Sequence, residues 1–331
     1  MKQWLMISRA LLCGMAWALA GNAAAQGAAN VQPYPVKPVR IVVTAAPGGS
    51  DDFMGRIIAK QLTDATGRQF IIENRPGGGA VIGRQYVARS APDGYTLIIA
   101  GSAMAALPTL YPNVKLDIVR DFTPISLFAT YPLMLVTHPT VPAKTAKDII
   151  ALARKNPGKL SFGSSGIGQG PHLAAELFKS LAKIDMLHVA YKGSGPGYTD
   201  LMAGRIDLSF GVIAAAMQHV KTGKLRALGV TSAKRTAAAM HIPTIAETGL
   251  PGYDFPSWMG FYGPAGLPDN VVKLLNAEVK KMVTLPEVRT PMLDTGLDPQ
   301  ASSPEELRDM LRANIDKLGR IITERGIKLE Q

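Results

Sequence analysis

The strongest constraint on the fold is a unit that occurs in both halves of the chain: an apolar strand, a glycine-rich loop and an amphipathic helix. Residues 39–45 are almost all apolar or β-branched, and a glycine-rich loop at 47–52 leads into a helical pattern. A strand predicted over 160–163 is likewise followed by a glycine-rich loop at 164–170 and a helix. Continuous apolar strands are typical of parallel sheets covered on both faces, so this alternation predicts an α/β fold.

The clearest signal for a single helix lies near the end of the chain. Ser303 is followed by Pro304 and, three residues on, by Glu306. This is the spacing of a capping box with proline at the first helical position. We expect a last helix that runs to about Arg325.

The first residues of the chain have the pattern of a secretory signal. Lys2 and Arg9 supply the positive start, residues 10–20 are apolar, and three alanines at 23–25 form a small-residue cleavage site. The apolar stretch is shorter than the ~20 residues that a membrane-spanning helix needs. We therefore expect cleavage after Ala25 and a soluble protein in the periplasm, not a membrane anchor.

Cysteine content and charge exclude several classes of function. The single cysteine, Cys13, lies inside the predicted signal, so the mature chain has no disulfide, thiol nucleophile or cysteine-based metal site. The chain carries 36 Lys and Arg against 25 Asp and Glu, a formal net charge of +11, which attracts anions. These basic residues are scattered and lack the aromatic interleaving of a nucleic-acid surface. We expect an anionic small molecule as the partner, and no nucleic acid.

Both glycine-rich loops are candidate anion sites. A helix N-terminus presents unpaired backbone N–H groups and a partial positive charge, and glycine lets a ligand approach them closely. Two such loops on different lobes could hold one anionic ligand from both sides. For either loop alone, an ordinary role as a turn remains an equal alternative. Neither loop has a complete nucleotide-binding pattern.

The sequence gives no support for a catalytic centre. Its serines are not in a nucleophile-elbow pattern, and no two histidines have the spacing of a metal-binding helix. His172 is the one histidine on a candidate loop, where it donates to a ligand anion or has a structural role. We predict no catalytic residue, no metal and no organic cofactor.

Several short motifs occur in a characteristic order along nearly the whole mature chain. They are PGGS at 47–50, ENRPG at 73–77, APDGYTL at 91–97, DFTPI at 121–125, FGSSG at 162–166, YKG at 191–193, GKLRAL at 223–228 and WMGFYGP at 258–264. Together they resemble the extracytoplasmic receptors of tripartite tricarboxylate transporters, also called Bug receptors.

The resemblance implies an α/β, two-lobed periplasmic binding protein fold of type II, with a ligand cleft between the lobes. Residues 36–130 and 229–331 would form lobe one, and residues 131–228 lobe two. The implied function is a receptor, not an enzyme, for a small organic acid that it delivers in a transient contact to a two-component membrane permease. We expect a monomer. The alternatives are a periplasmic sensor that presents the ligand to a membrane signalling protein and, less favoured, a periplasmic hydrolase.

In this family the two glycine-rich loops hold a carboxylate, largely through backbone N–H groups and bridging waters. Carried over to this chain, the predicted ligand-binding residues are Pro47, Gly48, Gly49, Ser50, Asp51, Asp52, Ser102, Ser164, Ser165, Gly166, Gly168, Gln169, Gly170, His172, Lys192 and Phe210.

Two positions depart from the family pattern. Asp51 stands where similar proteins usually carry a small neutral residue such as threonine, so it either repels a ligand anion or receives a cationic or hydroxyl group. Gly211 and Val212 stand where Asp and Asn commonly occur, which makes the pocket more apolar. We therefore expect an aromatic or long-chain acid as readily as a citrate-like one.

Overall fold

The structure of the protein is a computed structural model. With only the backbone described for Ser50 and Ala214, it describes residues 34–45, 47, 50–191, 193–255 and 257–328. The predicted export signal at 1–25 lies outside these residues. From Lys37 onward the described chain forms one compact unit. None of the described helices is both long and apolar enough to cross a membrane.

The described strands form two sheets. The strands are β1 Val39–Val43, β2 Phe70–Asn74, β3 Thr96–Gly101, β4 Phe122–Tyr131, β5 Leu133–Thr137, β6 Ser161–Ser164, β7 Leu187–Ala190, β8 Leu208–Val212, β9 Arg226–Val230, β10 Ser257–Pro264 and β11 Asp298–Pro299. Their order is β11-β4-β10-β3-β1-β2 in the first sheet and β7-β6-β8-β5-β9 in the second.

Helices cover the sheets and follow many of the strands in the chain. They are α1 Ser50–Thr66, α2 Val81–Ala88, α3 Leu107–Leu110, α4 Ala146–Lys155, α5 Gly170–Ala182, α6 Ser194–Met202, α7 Ile213–Lys221, α8 Asp269–Met282, α9 Pro286–Asp294 and α10 Pro304–Glu324. Short 3₁₀ segments occupy Gly78–Ala80, Ser102–Ala106 and Ala237–Ala239.

Both sheets are mixed. In the first, β1 pairs in parallel with β2 and β3, and β10 pairs antiparallel with β3 and β4. In the second, β6 pairs in parallel with β7 and β8, whereas β5 is antiparallel to β8 and β9. The α/β prediction is confirmed, with antiparallel strands that the apolar pattern did not distinguish from parallel ones.

The chain changes sheet twice. Pro132 alone separates β4 in the first sheet from β5 in the second, and the return to the first sheet occurs between β9 and β10. The lobe limits predicted at 130/131 and 228/229 stay a prediction.

The first sheet has helices on both faces, which explains the continuous apolar pattern of β1. Val42 packs in a core with Val81 and Val87 of α2. Its neighbour Val43 faces the opposite side and packs against Gly55 of α1. The contact is so close that a Cβ added to Gly55 would lie 2.9 Å from Val43 Cγ2. Successive residues of a strand face opposite sides of the sheet, so β1 needs apolar residues on both faces, and only Arg40 within the strand is exposed.

The last helix begins as predicted and contacts elements of both sheets. The Glu306 N–H donates to Ser303 Oγ at 3.1 Å, and the Ser303 N–H donates to Glu306 Oε2 at 2.7 Å. The helix packs against β4, α3 and the segment Ser102–Ala106, and also against α5 beside the second sheet.

A buried ion-pair cluster joins the end of α10 to α5. Arg325 Nε donates to Glu176 Oε2 at 2.9 Å, and Lys179 Nζ donates to Glu176 Oε1 at 2.8 Å. Burial acts to raise the pKa of Glu176, but the hydrogen bonds and charges of Lys179 and Arg325 outweigh it, so the pKa is lowered. The cluster therefore depends on the Glu176 negative charge.

We predict that Glu176→Gln destabilises the protein by about 3 kcal/mol, because it leaves the buried Lys179 cation with only the exposed Asp185 carboxylate, 3.8 Å away, as a counter-charge. Chemical denaturation followed by circular dichroism measures the change. The matched control is Glu324→Gln, an exposed glutamate on α10, which is expected to shift stability by less than about 0.5 kcal/mol. Equal effects of the two substitutions would show that the buried charge is not what matters.

Candidate functional site

A cavity of about 370 Å³ lies where the two sheets meet. Ligand sites for small molecules typically have volumes of ~300–1,000 Å³. Its lining comes from both sheets and consists of Thr44, Ala45, Asp51, Gly77, Gly79, Ala80, Arg84, Gly101, Ser102, Ala103, Ala106, Leu107, Leu110, Tyr111, Tyr131, Leu133, Ile167, Gly168, Gln169, Gly170, Pro171, Val212 and Ser257.

The loop between β1 and α1 is tied to β2 by Asp52. This residue is 3% exposed, and its Oδ1 accepts a hydrogen bond from Asn74 Nδ2 at 3.0 Å. The same Asn74 amide donates to the Ala45 carbonyl at 3.1 Å, and Arg56 Nε donates to Asp52 Oδ2 at 3.0 Å. Asp52 therefore positions the loop, while Ala45 and Asp51 face the cavity.

Arg84 brings a positive charge to the cavity wall. It lies on α2, and Gly83 lets this helix approach its neighbours closely: a Cβ there would lie 2.9 Å from both Thr44 Cγ2 and the Arg75 carbonyl oxygen. Arg84 is 6% exposed, and its Nε has no hydrogen-bond partner among the described residues. A buried guanidinium with free donors is suited to bind a carboxylate.

Arg84 and Asp51 influence each other without touching. Burial lowers the pKa of Arg84 to about 10, and the charge of Asp51 opposes this shift. Burial raises the pKa of Asp51, and the charge of Arg84 opposes that shift in turn. Within the described chain the two side chains interact through their charges alone, with no hydrogen bond between them. Each charge thus partly offsets the unfavourable burial of the other, and both groups can still bind a ligand.

Two tyrosines complete the wall contributed by the first sheet. Tyr131 is the last residue of β4, and burial, with a smaller contribution from the charge of Asp51, raises its pKa well above the ordinary value. It remains a neutral phenol that can donate a hydrogen bond. Tyr111 lies over Gly79, where a Cβ would come within 1.9 Å of the Tyr111 hydroxyl oxygen. A glycine at 79, with φ of 62°, is required to accommodate this ring.

The second glycine-rich loop reaches the cavity with its C-terminal half. Gly168, Gln169 and Gly170 line it, and α5 begins at Gly170. Gly166 and Gly168 have φ of 137° and 75°, conformations that favour glycine. This geometry presents the N-terminus of α5, with its unpaired N–H groups, to the cavity.

The first half of this loop rests on a stack of aromatic rings instead of facing the cavity. The rings of His172 and His188 stack with centroids 4.0 Å apart. Gly168 N–H donates to His172 Nδ1 at 3.0 Å, so a neutral His172 carries its proton on Nε2. Ser164 Oγ lies 2.7 Å from His188 Nε2 and accepts from the Gly166 N–H at 3.2 Å. Ser164 and His172 therefore hold the loop in place from the side away from the cavity lining.

The structure brings together only part of the predicted set. Asp51, Ser102, Gly168, Gln169 and Gly170 line the cavity. The residues that lie outside its lining are Pro47, Asp52, Ser164, Ser165, Gly166, His172 and Phe210. Gly48, Gly49, Lys192 and the side chain of Ser50 are outside the described residues. The described part of the chain contains no cluster of three or more His, Cys, Asp or Glu placed to hold a metal ion.

The departures noted at positions 211 and 212 have different structural settings. Phe210 is fully buried and packs against Phe178, with ring centroids 5.7 Å apart. Val212 lines the cavity, in agreement with a more apolar pocket. Gly211 does not: a Cβ there would lie 1.8 Å from the Tyr198 hydroxyl oxygen, so the tyrosine occupies the space of a side chain.

Sequence reasoning missed Arg84, Tyr111 and Tyr131. A signal for Arg84 was present, because it shares the buried stripe of α2 with Val81 and Val87. A charged residue on an apolar helical stripe is either paired or functional. The two tyrosines are brought to the cavity by tertiary packing, for which no local pattern exists.

Two α/β sheets that enclose a cavity at their junction, with a guanidinium and a helix N-terminus directed into it, define a solute-binding receptor of the periplasmic binding protein class. The sequence profile described as tripartite tricarboxylate transporter family receptor (TctC) matches residues 54–327. The chain belongs to this family, whose members are solute-binding receptors and not enzymes.

Named relatives agree with this assignment over nearly the whole chain. A protein of Pseudomonas sp. strain P51, described as a UPF0065 protein in the tcbD-tcbE intergenic region, is 36% identical over 324 residues, which is 98% of this chain and 96% of the relative. BugT of Bordetella pertussis is 32% identical over 299 residues, which is 90% of this chain and 92% of BugT.

Solved structures show the same fold. Rpa4515 of R. palustris with adipate has a TM-score of 0.79 at 34% identity, with 90% of this chain and 100% of that chain covered. MatC of Rhodopseudomonas palustris with bound malate has a TM-score of 0.75 at 29% identity, with 87% and 100% covered. The two-sheet periplasmic binding protein fold predicted from the sequence is confirmed.

We predict that acid destabilises the protein through the histidine stack. Burial lowers the pKa of His172, and burial together with the charge of His172 lowers that of His188 to about 4. In the unfolded chain both titrate near about 6.5. Between these values the unfolded state binds more protons, so the free energy of unfolding falls as the pH is lowered from about 6.5 toward about 4.

Thermal denaturation at about pH 7 and about pH 5 tests this, because histidine is mostly neutral in both states at the higher value and is protonated mainly in the unfolded state at the lower one. His188→Gln is expected to reduce the loss of melting temperature between the two pH values. His241→Gln, at an exposed histidine, is the control and should leave the loss unchanged. If His188→Gln also leaves it unchanged, the stack does not cause the acid sensitivity.

Proposed function

We propose that this chain is an exported receptor that captures a small carboxylate-bearing ligand in the periplasm for a two-component membrane permease of the tripartite tricarboxylate type. The export step rests on the signal pattern at 1–25. The receptor acts as a monomer that contacts the permease transiently, and it needs no metal or organic cofactor.

The observation that carries the ligand class is the buried Arg84 guanidinium in the cavity wall. Its Nε lacks a hydrogen-bond partner among the described residues, and leaving such a donor buried is costly unless a ligand satisfies it. The N-terminus of α5 faces the same cavity from the second sheet at Gly168 and Gly170. A carboxylate is the common group that both a guanidinium and a helix N-terminus bind well.

The similar receptors support a carboxylic acid as ligand. Rpa4515 was solved with adipate and MatC with malate, both dicarboxylates. Because their folds match this chain over most of its length, we extend the ligand class, though not the particular acid, to this receptor.

The lining favours an acid with an apolar body. Leu107, Leu110, Leu133, Ile167 and Val212 all border the cavity. Apolar surface of this kind is stabilised when a hydrocarbon or aromatic group replaces water against it. We therefore propose an aromatic or longer aliphatic acid in preference to a small, fully polar one such as citrate.

Ligand binding would favour the closed arrangement of the two lobes. Asp51 and Arg84 belong to elements of the first sheet, whereas Gly168–Gly170 belong to the second, so a ligand contacts both only when the two sides are close together. A ligand with higher affinity for the closed form shifts the population toward it. The permease would then recognise the closed, ligand-bound receptor.

We expect thermal denaturation of the purified exported protein to show a clear rise in melting temperature with at least one member of a panel of aliphatic and aromatic mono-, di- and tricarboxylates. A ligand at ~100 times its dissociation constant stabilises the folded state by about 2.7 kcal/mol. The methyl esters of the same acids are the controls and should produce no rise, since they lack the anionic group.

Two outcomes would contradict the proposal. If no acid raises the melting temperature, the receptor does not bind carboxylates. If the esters raise it as much as the acids, the apolar body and not the carboxylate is recognised.

A further inference from the structure

The two charged side chains in the cavity wall are of opposite sign and both are accessible to the same ligand. Arg84 and Asp51 line one cavity, and in the described chain they interact through their charges without a hydrogen bond between them. Arg84 is 6% exposed and its Nε has no hydrogen-bond partner there. If the pair served only the fold, a direct contact would be expected, because buried charges are stabilising only when paired with good geometry.

The charge balance of the wall argues against a simple dianion as the preferred ligand. The positive charge of Arg84 and the negative charge of Asp51 cancel in the protein. A dicarboxylate would place its second negative charge in a cavity that already contains the Asp51 carboxylate, and like charges close together in a partly buried site repel strongly. A ligand with one positive and one negative group matches both residues.

We infer that Arg84 binds a carboxylate of the ligand and Asp51 binds an ammonium group on the same ligand, so that the receptor selects amino-carboxylic acids over the corresponding unsubstituted acids. This inference rests on the proposed function and specifies its ligand class. The position of Asp51 supports it: the carboxylate lies in the first turn of α1 and lines the cavity, where burial disfavours its charge and a cationic group of a ligand would favour it.

The rest of the wall is suited to the remaining part of such a ligand. Tyr131 stays a neutral hydrogen-bond donor beside Asp51. The apolar residues Leu107, Leu110 and Leu133 border the same cavity and would contact the hydrocarbon or aromatic body of the ligand. An amino acid with a large apolar or extended side chain therefore meets a complementary group on each side.

The test compares ligands that differ only in one substituent. One series is phenylpropanoate, phenyllactate and phenylalanine; the other is adipate, hydroxyadipate and aminoadipate. Dissociation constants are measured by isothermal titration calorimetry with the purified exported protein. We expect the amino member of at least one series to bind at least about tenfold more tightly than the unsubstituted acid, which corresponds to one charged hydrogen bond.

Substitution of Asp51 should reverse this preference. In Asp51→Thr, the amino member is expected to lose at least about tenfold in affinity, whereas the unsubstituted acid binds equally well or better because a repulsive charge is gone. Asp51→Asn is a second variant of the same shape, which removes the charge with little change in packing. A variant that weakens all members of a series equally would overturn the role of Asp51.

Substitution of Arg84 should weaken every carboxylate. Arg84→Met is expected to reduce the affinity for all members of a series at least about tenfold, because all share the carboxylate. Arg89→Met, at an exposed arginine immediately after α2, is the control and should bind like the parent protein. The double variant Asp51→Thr/Arg84→Met removes both charges together. The melting temperatures of Arg84→Met and of the double variant show whether loss of binding reflects loss of folding.

The outcomes separate this inference from the broader proposal. If other carboxylates raise the melting temperature but the amino members bind no better than the unsubstituted acids, the inference is wrong and the receptor function stands. If hydroxy and amino members bind equally, Asp51 recognises a hydrogen-bond donor and not a cation, which also overturns it. If no carboxylate of any kind binds, the proposed function itself fails.

Discussion

Strands that are buried on both faces carry mainly apolar residues, and this constraint determines where the site forms. Val42 and Val43 of β1 face opposite helical layers and are both fully buried. The polar groups of the site accordingly come mainly from residues at or beyond the strand ends. The cavity lies at one such edge in each sheet: beyond the carboxyl ends of β1, β2, β3, β6 and β8 and beside the amino ends of the antiparallel strands β5 and β10. This is the edge at which open α/β sheets bind their ligands.

The sequence predicts this edge well because its signals are local. An apolar run followed by glycines and a helix start locates the loops that contain Asp51 and Gly168 without any knowledge of tertiary structure. It does not indicate which side of a loop faces the cavity. Ser164 belongs to the same loop as Gly168, and His172 follows the loop by two residues. Neither lines the cavity, because their side chains accept hydrogen bonds from N–H groups of the loop. Tyr131 and Arg84 belong to other elements, and their position in the cavity wall depends on long-range packing.

The cavity wall also illustrates how stability and binding draw on different interactions. The Glu176 cluster is a set of buried charges in direct contact, with hydrogen bonds of 2.8 and 2.9 Å to Lys179 and Arg325. Arg84 is buried and Asp51 half-buried, and these two charges lack such contact. The first arrangement satisfies its own groups and stabilises the fold. The second leaves donor capacity unused in the free protein, which lowers stability and makes it available to a ligand.

The contact between Tyr198 and Gly211 limits how this receptor can change. The tyrosine hydroxyl lies where a Cβ at 211 would have to be, at a separation of 1.8 Å. A side chain at 211 therefore requires the Tyr198 ring to move or a smaller residue to replace it. Because that ring is buried, the two positions are coupled: a change at 211, which itself does not line the cavity, is transmitted to the packing around Tyr198.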